Sequence, residues 1–206
     1  MSQLVVDPIT KATYIDNAYP STNYGTTDII SVSFKPISSK FGPFIARVLQ
    51  DADISAIPPG SIIVSTSKLE LYCKTVYAAT AATLYRITQP DWTELGATWG
   101  DYIYPNDHWY TPGGDYSTPS VAFTTPAATG WFTITGADFA AFLQDAINNR
   151  SGIARMLLRV DTESGTLKGA DFASDDDTHD PSWKLKLTVD YTPPAGGARR
   201  RATTIG

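Results

Sequence analysis

The chain is poor in the residues that most often carry chemistry. Its 206 residues include one cysteine, Cys73, two histidines, His108 and His179, and three glutamates, Glu70, Glu94 and Glu163. A single cysteine excludes an intrachain disulfide framework. Cys73 alternates with Leu69 and Leu71, so it reads as a small buried apolar side chain rather than a reactive thiol. No Gly-x-Ser-x-Gly elbow, His-Glu-x-x-His pair or phosphate loop occurs. With no motif that supplies catalytic roles, the chain is not expected to be an enzyme, and no cofactor is expected. A glycosidase-type pair of carboxylates is the one catalytic constellation left open.

Charge is scarce as well, at 18% of residues against 42% apolar. That balance is globular, because disorder needs low hydrophobicity and high net charge. The net charge is −5, and the stretch from Thr192 onward holds three arginines and no acid, so the body carries −8. An acidic body without basic stripes argues against nucleic acid as a partner. No apolar run approaches the roughly 18 residues of a membrane span, and no membrane partner is expected. The first residues show no basic and then apolar leader, so the expectation is a protein made and kept inside a cell.

What the chain does have is β pattern. Short runs rich in Val, Ile, Thr and Tyr alternate with Gly, Pro, Asn, Asp and Ser clusters, as in all-β domains. Over Lys68–Val76, Leu69, Leu71 and Cys73 point one way and Lys68, Glu70, Tyr72 and Lys74 the other. In the last strand Trp183, Leu185, Leu187, Val189 and Tyr191 share a face. Such alternation marks half-buried antiparallel strands. Weaker strands are expected near Thr13–Ile15, Ile29–Phe34, Phe44–Gln50, Thr83–Ile87, Trp131–Thr135, Ala154–Val160 and Leu167–Ala173. One segment, about 136–149, places Phe139, Phe142, Leu143, Ala146 and Ile147 at helical spacing, with Thr135 or Asp138 as candidate cap. The organisation expected is an arm over 1–10, one β domain over 11–192 and a flexible basic tail over 193–206.

Particular blocks carry a resemblance. They are Thr13–Asp16, Tyr19–Pro20, Asn23–Gly25, Ala46–Leu49, Asp53–Ser55, Ile57–Ser61, Lys68–Tyr72 and Leu84–Ile87. The run Asp91-Trp92-Thr93-Glu94, then Ala97-Thr98-Trp99, is the most specific; Phe172–Ser174, Pro181 and Leu185–Tyr191 close the set. Over about residues 10–192 the chain resembles the DNRLRE-type β-sandwich family, similar to the carbohydrate-binding modules of polysaccharide-degrading enzymes. The resemblance implies a jelly-roll-like antiparallel β-sandwich, often with a structural calcium.

Three features could carry function. Asp171, Asp175, Asp176, Asp177 and Asp180 crowd one turn. Asp175, Asp176 and Asp177 are the candidate calcium ligands, since calcium takes about 6–8 oxygens, although a solvated acidic turn explains them as well. The loop from Trp99 to Tyr116 holds Tyr102, Tyr104, Trp109, Tyr110 and Tyr116, with Asp107 and His108 among them. Flat rings with polar edges can stack on sugars, anchor a protein interface or simply pack a loop. Trp99 is expected to pack internally. Arg199, Arg200 and Arg201 form either a solvated tail or an assembly arm laid on an acidic neighbour.

Two functions follow. One is a structural assembly protein such as a phage head-decoration or appendage subunit. It would assemble in the host cytoplasm, self-associate and pair with other virion proteins. The other is a carbohydrate-binding module that recognises an extracellular polysaccharide. A decoration protein could also hold a surface glycan.

Overall fold

The computed structural model describes residues 1–36 and 42–195. Among these the strands are β1 (Ser2–Val6), β2 (Ala12–Asp16), β3 (Ile29–Lys35), β4 (Phe44–Asp53), β5 (Ile62–Ile63), β6 (Lys68–Ala78) and β7 (Ala81–Ile87). They continue with β8 (Asp101–Ile103), β9 (Asp107–His108), β10 (Tyr116–Thr124), β11 (Gly130–Thr135), β12 (Ile153–Val160), β13 (Lys168–Ala173) and β14 (Lys186–Thr192). One helix, α1, spans Ala137–Asn149.

The main ladder runs β1-β14-β6-β13-β3-β4-β12-β7-β10, with β11 on β6, β2 on β4 and β5 on β14. Its pairings are antiparallel. Strands β3 and β4 pair only over Ser33–Lys35 and Phe44–Ala46. The ladder turns at this short junction and lays its two halves over one core. Ile30, Val32, Leu69, Leu71, Cys73, Phe172, Leu187 and Val189 enter that core from the first half. Val48, Leu84, Met156, Leu158 and Val160 enter it from the second. This is the all-β sandwich that period-2 alternation predicts. Cys73 is fully buried, and burial pushes its thiol up to about 11, so it stays an unreactive core group.

Helix α1 buries Phe139, Ala140, Phe142, Leu143 and Ala146 and packs against β10, β12, β5 and β11. Neither expected cap forms. Gly136 occupies the N-cap with no side-chain bond, and the Thr135 hydroxyl instead donates to the Ser65 and Ser67 carbonyls. At the other end the Arg150 and Gly152 N–H groups both donate to the Ala146 carbonyl.

Two further expectations change. Residues 1–10 are not a free arm: Ser2–Val6 pair with Leu187–Tyr191, and Ile9 is fully buried with its N–H on the Leu185 carbonyl. Trp183 does not share the inward face of the last strand. It sits in a single 3-10 turn, Pro181–Trp183, capped by the Asp180 carboxylate on the Ser182 N–H, and its ring stacks on Tyr72. The turn breaks the two-residue period just before β14 begins.

The register of β13 depends on Gly169. Its φ is +101°, and a Cβ there would collide with the Val32 carbonyl and the Ser33 Cα of β3. Because those are backbone atoms, no rotamer change can relieve the clash. Gly169→Ala is therefore expected to lower stability by more than ~1 kcal/mol, read as a fall in the denaturant midpoint. An unchanged midpoint would contradict this.

Candidate functional site

Alternation along β4, β12 and β7 makes every second residue face away from the core. Several of these outward positions are apolar: Leu49, Leu157 and Ile87, joined by Ile15 of β2, and all are buried. The segment after β7 explains why. It crosses back over the outer face and packs Trp92, Ala97, Trp99, Tyr102, Trp109 and Tyr116 onto it, building a second apolar cluster.

The Trp-Thr-Glu block fastens this flap. Trp92 donates its indole N–H to Asp51 Oδ1 at 2.9 Å, while the Lys11 ammonium lies 4.0 Å from the ring centroid and 2.7 Å from Asp51 Oδ2. Glu94 accepts the Ala12 N–H at 2.7 Å, and the Asn23 amide donates to the Glu94 and Ala97 carbonyls. Glu94 is thus a structural acceptor, with burial raising its carboxyl above the usual range.

Arg47 of β4 holds the far end of the flap. Its Nε and Nη2 donate to the two Glu163 oxygens at 2.8 Å each, and Nη1 donates to the Gly113 carbonyl at 2.7 Å. The guanidinium also lies 4.8 Å from the Trp99 ring centroid. Arg159 reaches Glu163 at 3.2 Å and donates to the Tyr116 hydroxyl. Gly113 has φ +93°, and a Cβ would press on Arg47 Nη1 and the Trp99 ring, so the close approach requires glycine.

Between flap and sheet lies a cleft of about 590 Å3, lined by Arg47, Thr88, Gln89, Tyr110, Thr111, Asp115 and Tyr116. Asp115 shapes its rim. One carboxylate oxygen accepts the Tyr110 N–H (2.7 Å) and the Gln89 amide (3.1 Å); the other accepts the Thr111 N–H (2.8 Å). The Tyr110 ring is 94% exposed on this pinned backbone. Tyr116 is half-buried against Tyr85.

The aromatic loop therefore divides. Tyr110 and Tyr116 meet at the cleft. Tyr102 packs on Trp109 inside the second cluster. Tyr104, Asp107 and His108 are exposed on the β8–β9 hairpin, where His108 bonds Asp101, and they do not line the cleft. Trp109 is a correction: it is 4% exposed, with its indole N–H on the Thr98 carbonyl, and serves the core of the flap rather than a ligand surface. Arg47, Thr88, Gln89 and Asp115 were not among the expected site residues. Arg47 carried a faint signal, as a charge set two positions before Leu49 on what proves to be a covered face.

The model of carbohydrate-binding module family 96 matches residues 7–188. The chain belongs to that family. The match supports the carbohydrate-binding-module side of the resemblance, whereas the DNRLRE-type label rests on the sequence blocks alone. No curated protein matches the module.

The acidic turn of the module does not gather Asp175, Asp176 and Asp177 into one ligand set. Asp177 is buried beside Asp28 and His179 instead, their ligand atoms within 4.8 Å of one another. A cation is already there: the Lys74 ammonium is 2.5 Å from Asp177 Oδ2, and the His179 N–H takes Oδ1 at 2.8 Å. Burial opposes ionisation of Asp177, yet Lys74 and the His179 N–H outweigh it and hold the carboxyl below the usual range. This donor set suits an internal ion pair better than calcium, which would need several more oxygens. A chelator and added calcium are each expected to leave the melting temperature unchanged. A clear rise with calcium would contradict the assignment of Lys74.

Asp175 behaves oppositely. Burial first, then the nearby charge of Glu94, push its carboxyl up to about 7, and its buried Oδ1 has no hydrogen-bond partner among the described residues. The folded state therefore binds more protons than the unfolded chain between the ordinary carboxylate range and pH 7. Stability falls as pH rises through that window and levels above it. Asp175→Asn should melt higher than the wild type at pH 8 and show no advantage at pH 4, read by thermal melts across pH. Parallel profiles for the two proteins would overturn this.

Proposed function

We propose that this module binds an extracellular polysaccharide without turning it over, with the Tyr110–Tyr116 cleft as the binding site. The observation that carries the reading is the Tyr110 ring, 94% exposed yet fixed at its base by the Asp115 carboxylate. An aromatic ring held open on a rigid backbone loses little entropy on stacking. A pyranose face is apolar enough to lie on it, and Thr88, Gln89 and Thr111 line the same cleft with hydroxyl and amide groups.

The charges beside the cleft support holding rather than cleavage. Glu163 is shared by Arg47 and Arg159, and Asp115 is saturated by two backbone N–H groups and Gln89. Carboxylates so engaged are poor acids or nucleophiles for glycoside hydrolysis, which needs a free pair across the bond. The virion reading drew in part on terminal arms. Residues 2–6 belong to the sheet, and Arg199, Arg200 and Arg201 lie outside the described residues, so glycan recognition is the reading with a built surface behind it.

Tyr110→Ala should weaken retention on the bound polysaccharide about fivefold, the equivalent of ~1 kcal/mol of stacking, in affinity electrophoresis. The melting temperature should not move, because the ring touches little of the core. Unaltered retention on every polysaccharide that holds the wild type would rule the cleft out.

A further inference from the structure

On the far side of the core, the first half of the ladder presents its own outer face. Along β11, Phe132 and Ile134 face the core, so Trp131 faces out; along β6, Leu69 and Leu71 face in, so Lys68, Glu70 and Tyr72 face out. Gln3 and Val5 of β1 and Lys186 and Thr188 of β14 extend the same surface. These strands enclose a groove of about 410 Å3 lined by Gln3, Val5, Lys68, Glu70, Trp131, Lys186 and Thr188.

We propose that this groove is a second saccharide-binding site, with Trp131 as its stacking wall and uncharged pyranose units as its ligand. The inference rests on the reading of the module as a polysaccharide binder, but not on the Tyr110 cleft. Trp131 is 52% exposed, far more than a ring needed only for packing. Its indole meets Tyr72 edge to face, with centroids 5.6 Å apart and planes at 84°, and Tyr72 is itself stacked on Trp183 at 4.3 Å. The row braces Trp131 from one side and leaves the groove side open. A braced indole with a free face is pre-organised to stack.

The groove's polar groups fix the ligand class. Lys68 pairs with Glu70 at 2.8 Å and Lys186 with Asp7 at 2.9 Å. Each cation already has its anion, and Gln3 donates to Asp190 at 2.8 Å, so the groove offers donors and acceptors with no net positive charge. Hydroxyls can bond such an array from Gln3, Lys68 and Glu70. A polyanion would have to displace both acidic partners. Two sites on opposite faces cannot share one short oligosaccharide. They can grip two chains, or two stretches of one long chain, and so gain avidity.

The test is affinity electrophoresis of the whole protein against galactomannan, xyloglucan, mixed-linkage glucan and polygalacturonate, with melting temperatures alongside. Wild type, Trp131→Ala, Trp131→Phe, Tyr110→Ala and the double alanine variant are compared. Retention by at least one neutral polysaccharide, insensitive to added salt, is expected. Trp131→Ala should weaken it about fivefold, Trp131→Phe should restore most of it, and the double variant should show no retention. If Tyr110→Ala removes all retention and Trp131→Ala at wild-type melting temperature changes nothing, the groove is overturned and the cleft stands. If Trp131→Ala removes all retention and Tyr110→Ala changes nothing, the cleft falls and the groove stands. Retention by polygalacturonate alone, released by salt, overturns the uncharged class. Retention by none of the four overturns both sites.

Discussion

A buried guanidinium organises the candidate cleft. Arg47 is 8% exposed, and its donors go to Glu163 and to the Gly113 carbonyl while its flat face lies on Trp99. Removing an arginine from water is costly unless every donor is matched. Here Nε, Nη1 and Nη2 each find an acceptor only if the 88–115 flap lies down and the turn carrying Glu163 comes up. The ion pair therefore links three separate stretches of chain. Loss of one partner would leave a buried charge, so the geometry is held more firmly than a surface pair worth ~0.2–1 kcal/mol could hold it.

That clamp turns an awkward sheet into a useful one. Leu49, Leu157, Ile87 and Ile15 form an apolar patch on the outward face, so the sandwich needs a cover there. The cover has to be anchored, and the anchors are the Trp92–Asp51–Lys11 and Glu94–Ala12 contacts at one end and Arg47 at the other. What remains between cover and sheet edge is the cleft. In this account binding capacity follows from stability: the residues that seal the second cluster also fix the rim on which Tyr110 stands.

The strands that bury one face were legible because their period is two. Residues 68–74 show it one by one, and Ile153–Val160 shows it except at Leu157, which the flap covers. β10 was not legible, since a bulge between Ser117 and Ser120 interrupts its alternation. β1 and β5 were missed for another reason. They are short edge pieces defined by pairing with β14, more than a hundred residues away in sequence. The aromatic loop was legible as a cluster of rings, but not which rings pack inward and which reach the surface. Trp109 and Tyr110 are neighbours with opposite fates, 4% and 94% exposed. They lie in the turn just after β9, where no period ties a ring to one side, so composition alone cannot say which goes in. The indole went inward because the Thr98 carbonyl waits for its N–H. The pairing of Asp177 was not legible, because its partner Lys74 sits on a distant strand.

The most direct measurement of the central claim is backbone chemical-shift mapping on the isotope-labelled protein as a neutral oligosaccharide, a fragment of whichever polysaccharide retains it, is titrated in. The account predicts saturable shifts at the amides of Gln89, Tyr110, Thr111 and Asp115, with the neighbouring Trp109 amide little affected. Saturable binding that leaves those four amides still, with shifts only on the Tyr104–His108 hairpin, would contradict it.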